Sequence, residues 1–166
     1  MFQLKPLSAS AVEAALEKAE RYRLLNEPTD AESICRDVLD LEPANQAALV
    51  NLILSLTDQF GFSPGDRVRE AQEAAAQLQG RYEQAYYAGI ICERAAKAHH
   101  RRGTPASGTI AYELLRQAMN WFETAEKVRP PGNDDALLRW NTCARFIMRH
   151  PEIKPVEAID AIFQLE

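Results

Sequence analysis

A chain of 166 residues is the size of one domain and buries about 70% of the surface that its unfolded form exposes. With 46% hydrophobic and 26% charged residues, only seven glycines and no alternating Val/Ile/Thr runs, it excludes a sheet-built fold and points to an all-α one. The net charge of −5 disfavours general nucleic-acid binding, which depends on neutralising many phosphates.

Met1 to Pro6 has no charged segment followed by an apolar run, and no stretch approaches the length that spans a bilayer. A cytoplasmic protein with no membrane partner is therefore expected. The first predicted helix starts near Ser10, where Ser10 and Glu13 have capping-box spacing, and runs to Leu25. After Asn26-Glu27-Pro28, Thr29 and Glu32 repeat that spacing. Ala31, Ile34, Cys35, Val38, Leu39 and Leu41 then make the stripe of a second helix, which Pro43 ends. The short break makes the two antiparallel neighbours.

The third helix is predicted over Gln46 to Gln59, and its wide apolar surface calls for burial between two neighbours. After the Phe60-to-Gly65 turn, Asp66 is the expected cap of a fourth helix that Gly80 closes. A fifth runs from Arg81 to about Arg102, with a far end expected to face water. Beyond the Gly103-to-Ser107 breakers and Gly108, Thr109 is the expected cap of a sixth helix to Arg129. Asn133 or Asp134 caps a seventh, up to His150-Pro151, and an eighth follows Pro155 with Val156, Ile159, Ile162 and Phe163 on one face.

An internal repeat runs through these elements. Ala31, Cys35, Val38 and Pro43 stand at the same offsets as Ala118, Phe122, Ala125 and Pro130. Small residues let two helices approach, the larger one fills the space between them, and proline stops the helix. On this spacing, together with Leu41-Glu42-Pro43 and Val128-Arg129-Pro130, the chain resembles the tetratricopeptide repeat family. The best unit is Val12 to Asn45, 34 residues long, with Ala19, Tyr22, Ala31, Val38 and Pro43 on the family's positions and Ala15 departing from its first aromatic one.

The resemblance implies one domain of stacked antiparallel hairpins in a right-handed superhelix of about eight helices. Its units are 12–45, 46–80, 81–132 and 133–166, the last partial or capping. It also implies a groove lined by the first helix of each hairpin, which receives a protein or peptide. By position, Glu13, Leu16, Glu20, Arg23 and Leu24 line it from the first unit, and Ala47, Val50, Leu54 and Asp58 from the second. Glu83, Tyr86, Ile90, Glu93 and Arg94 follow, then Leu137, Asn141 and Arg145. Leu16 and Glu20 stand where a carboxylate-gripping family groove has lysine and asparagine, so a ligand with apolar and charged elements fits better.

Lys97, His99, His100, Arg101 and Arg102 form the most visible basic patch, read first as a solvated helix end that meets the negative end of the helix dipole. Adjacent His99 and His100 do not share a helix face, and no Glu-x-x-His or Cys-x-x-Cys accompanies them, so no metal site is expected. Cys35, Cys92 and Cys143 sit singly in apolar stripes and read as core. No cofactor, paired acid and base, or activated nucleophile is legible. The expected function is a non-enzymatic adaptor, chaperone-like or assembly factor. The alternatives are a structural subunit of a multiprotein complex and a nucleic-acid-binding repeat that uses residues 94–102. The partner's identity and any self-association stay open.

Overall fold

The computed structural model describes residues 2–61 and 64–156 of the chain. Among them the fold is all-helical. A single 3-10 turn, Ala9–Ala11, leads into α1 (Val12–Leu24), α2 (Pro28–Leu41), α3 (Gln46–Asp58), α4 (Pro64–Ala76), α5 (Arg81–Arg102), α6 (Ser107–Lys127) and α7 (Asp135–Arg149). No helix among the described residues is long and apolar enough to cross a membrane. Apart from Pro155 and Val156, the expected eighth helix lies outside the described residues.

Local chemistry explains the breaks. Asn26 adopts φ 61°, while the Asn26 and Glu27 amides return to the Arg23 and Tyr22 carbonyls. This is a Schellman ending with asparagine in the left-handed position. Pro28 then opens α2 at the first turn, where its missing N–H costs nothing. Gly103, at φ 64°, ends α5 in the same left-handed region.

Most of the capping residues differ from those expected. Ser10 makes no side-chain cap, because the 3-10 turn absorbs it and α1 starts two residues later. Thr29 lies inside α2, and its hydroxyl donates to Gln59 Oε1 instead. Asp66 lies within the first turn of α4, and that helix ends at Ala76, before Gly80. α6 starts at Ser107, not after Thr109, with Ser107 Oγ accepting the Thr104 amide at 2.9 Å. Among the described residues, Asn45 caps α3, its side chain accepting from the Ala48 amide at 2.9 Å. Of the two caps expected for α7, Asn133 serves, its Oδ1 accepting the Asp135 amide at 2.9 Å, while Asp134 makes no side-chain cap.

Each helix packs on the next in sequence, and α1 also meets α3 as α3 meets α5. Two apolar cores result. The first gathers Ala19, Cys35, Leu49, Ile53 and Leu56 from α1–α3, Phe60 and Leu78 from the turns after α3 and α4, and Ile91, Ala95 and Ala98 of α5. The second joins Ala85, Cys92 and Ala96, on other positions of α5, to Leu115, Phe122, Ala136, Cys143 and Ile153. α5 is therefore the wall shared by both. α3 is central as its apolar surface predicts, with Ala48, Leu49, Leu52, Ile53 and Leu56 all buried. The residues of the two repeated series, Ala31, Cys35 and Val38 with Ala118, Phe122 and Ala125, are fully buried.

Candidate functional site

Side chains on the odd-numbered helices meet in a line of charges. Asp58, at the last turn of α3, accepts Arg23 Nε of α1 at 2.9 Å on Oδ2 and Arg94 of α5 on Oδ1. Arg94 also donates to Thr57 Oγ1 at 2.8 Å. Burial pulls its pKa below the ordinary arginine value, against the pull of Asp58. Glu93, the next residue of α5, is fully buried, and its Oε1 meets Lys97 and, at 3.5 Å, Arg139 Nη1 of α7. Burial opposes the Arg139 charge, but Glu93 and Tyr86 outweigh it and raise its pKa. Glu93 Oε2 is the one buried side-chain oxygen or nitrogen among the described residues without a hydrogen-bond partner.

Four cations, Arg23, Arg94, Lys97 and Arg139, thus share two carboxylates, Asp58 and Glu93, in this line. Tyr86 stacks on Tyr82 with ring centroids 5.6 Å apart and meets Tyr87 edge-on at 5.2 Å. These half-buried rings stand about two turns of α5 or more from Arg94, and Tyr86 lies beside Arg139.

The residues expected in the groove divide. Arg23, Asp58, Glu93 and Arg94 come together as described. Leu54 is half-buried, and its carbonyl lies 3.5 Å from Arg94 Nη1. Tyr86 belongs to the aromatic cluster, Asn141 is half-buried, and Glu20 and Arg145 are exposed. Ile90 is a correction: at 1% exposure it belongs to the second core and lines no open surface, because α5 is covered on two sides. Arg139 was missed. Its helix carries no motif, and only the packing of α7 brings it to Glu93.

The basic patch does not hold together as one surface. Lys97 turns to buried Glu93, and His100 packs edge-on against Phe146 and His150. Arg102 reaches the Phe60 carbonyl at 3.5 Å. His99 is half-buried, and burial together with Arg102 lowers its pKa. Arg101 is exposed. Of the end of α5 expected to face water, Arg101 and Arg102 are exposed, while Ala98 packs on the first core.

A cavity of about 500 Å³ lies between α4, α5 and α6, lined by Ala75, Gln84, Ile91, Cys92, Gln117 and Trp121 among others. Cys92 Sγ lies 3.3 Å from Gln117 Oε1, and burial pushes its thiol up to about 11. Burial likewise pushes Cys35 and Cys143 up to about 12. All three thiols are protonated at neutral pH and sit as packing groups rather than poised nucleophiles.

No family model, curated protein or solved structure matches this chain. Its function must therefore be argued from the site itself.

Proposed function

We propose that the chain is a non-enzymatic protein-interaction module, a divergent tetratricopeptide-like superhelix. Its groove runs along α1, α3, α5 and α7 and receives an acidic segment of a partner protein. The observation that carries this reading is the side-chain line Arg23–Asp58–Arg94 and Glu93–Arg139, which spans all four odd-numbered helices. In the resembling family these are the helices that face the ligand.

The chemistry favours an acidic ligand. Each guanidinium has five N–H donors in a rigid fork, and Asp58 and Glu93 engage only some of those on Arg23, Arg94 and Arg139. The arginines are held in place by neighbouring carboxylates, so little side-chain freedom remains to be lost on binding. Tyr86 beside Arg139 supplies the apolar surface that a mixed ligand needs.

Affinity capture from native extract tests the proposal. Arg94→Ala is the informative variant, because Asp58 keeps Arg23 as a partner and the fold should hold. Specific partners captured by the wild type should be recovered at least about tenfold less by Arg94→Ala or Arg139→Ala. Arg101→Ala, at an exposed position off this line, serves as the control and should recover them fully. Equal recovery by both groove variants would move the binding surface elsewhere. Loss with Arg101→Ala alone, together with a salt-dependent nucleic-acid shift, would favour the basic end of α5 and a nucleic-acid ligand.

A further inference from the structure

The chain returns after α7 to the end of α5, and there it brings together two imidazoles and a carboxylate from positions far apart in sequence. His100 stands in the last turn of α5, His150 directly follows α7, and Glu152 lies in the turn beyond. One ligand atom from each lies within 4.8 Å of the others. His100 Nε2 lies 3.6 Å from Glu152 Oε1. We infer that His100, His150 and Glu152 form a binding site for a late first-row divalent metal ion, of which zinc is the natural probe.

The donor set fits that class of ion. Two imidazole nitrogens and one carboxylate oxygen suit Zn²⁺, and three protein ligands leave a fourth position for water or an incoming group. A tetrahedral site with bonds of about 2.1 Å places its ligand atoms about 3.4 Å apart. The His100–Glu152 pair is already near that spacing, and the wider separations need only a small closure. Glu152 has room to supply it, since its side chain is 56% exposed.

A second observation concerns the proton on His150. Its Nδ1 lies 2.8 Å from the Phe146 carbonyl oxygen. A carbonyl only accepts, so Nδ1 must carry the hydrogen in that bond. In the neutral ring Nε2 then keeps its lone pair. This arrangement orients and polarises metal-ligating histidines in general. The aromatic wall helps: Phe146 meets the His150 ring at 4.3 Å and the His100 ring at 5.4 Å, limiting the rotation of both.

The backbone beneath the site is anchored as well. Ile153 is 3% exposed in the second core, and its amide donates to the His150 carbonyl at 2.9 Å, closing the turn that carries Glu152. Gly108 accepts that turn at close range. A Cβ on Gly108 would lie 2.2 Å from the Glu152 carbonyl oxygen. The ligands from 150 and 152 are thus seated against α6 as well as α5. Metal bound there would clip the segment after α7 to the end of the wall shared by both cores.

Zn²⁺ titrated into the tag-free full-length protein, in competition with a chromophoric chelator, tests the site. Wild type should bind one equivalent, and Co²⁺ in its place should give the visible absorption of a low-coordinate site. His100→Gln, His150→Gln and Glu152→Gln should each weaken binding at least about tenfold, while His99→Gln should leave it unchanged. Glu152→Gln changes an exposed side chain, so its metal-free melting midpoint should equal that of wild type and separate lost ligation from lost folding. Zn²⁺ should raise the midpoint of wild type and not that of Glu152→Gln. The inference is overturned by absence of zinc binding to the folded wild type. It is equally overturned by binding that survives all three ligand variants, or that disappears only when Cys35, Cys92 or Cys143 is replaced.

Discussion

Gly89 has no side chain because the ring of Phe122 occupies its place. A Cβ there would lie 2.5 Å from the ring, and Phe122 is fully buried with no room to retreat. Glycine in mid-helix ordinarily costs up to about 1 kcal/mol relative to alanine, so Gly89→Ala on a free helix surface would stabilise. Here overpacking wins. Gly89→Ala is expected to destabilise by about 1–3 kcal/mol, read as a lower urea midpoint at unchanged slope. Ala118, Phe122 and Ala125 were legible in the sequence as a helix-packing surface. The buried carboxylate of Glu93 was not, since a glutamate in a helix reads as solvated until its neighbours cover it.

At the scale of elements, helix existence followed apolar spacing closely, whereas helix ends followed side chains whose competition the sequence conceals. Ser10 and Asn45 both precede apolar helices and look alike as caps. Only Asn45 caps, because Ser10 is taken into the 3-10 turn before α1. Asn45→Ala should therefore cost about 1 kcal/mol of stability, while Ser10→Ala should change it by less than about 0.5 kcal/mol. Parallel urea unfolding of the two variants checks the contrast; equal losses would show that both ends are capped in solution. Thr29 teaches the same lesson, since its hydroxyl serves Gln59, just after α3, rather than its own helix.

At the scale of the whole molecule, polar bridges join helices on both sides of α3. Besides the line through Asp58, Glu32 of α2 meets Arg36, Arg67 of α4 and Gln59, while Arg36 also pairs with Glu70 of α4. Burial alone would raise the Glu32 pKa, but the hydrogen bonds from Gln59, Arg36 and Arg67 prevail and hold it below the ordinary 4.5. A depressed folded-state pKa means that ionised Glu32 stabilises the fold above the unfolded value and that this stability is lost as pH falls through the folded one. Wild type should melt above Glu32→Gln at neutral pH, and the gap should close as pH falls below 4.5. A gap that is the same at every pH would assign the effect to packing.

The sequence by itself determined the helices, the central burial of α3 and the two repeated series, whose members before the prolines lie at zero exposure, because apolar periodicity and small-residue spacing are local properties of a chain. It also placed Arg23, Asp58 and Arg94 at positions that the family resemblance assigns to one face. Only the tertiary structure decided that Ile90 is core, that Lys97 turns to a buried carboxylate, that Arg139 completes the charged line, and that His100 meets His150 and Glu152. The reason is physical. Which of several polar groups a side chain engages depends on how α5 and α7 pack, and that packing sums weak contacts from the whole chain rather than from any one window of it.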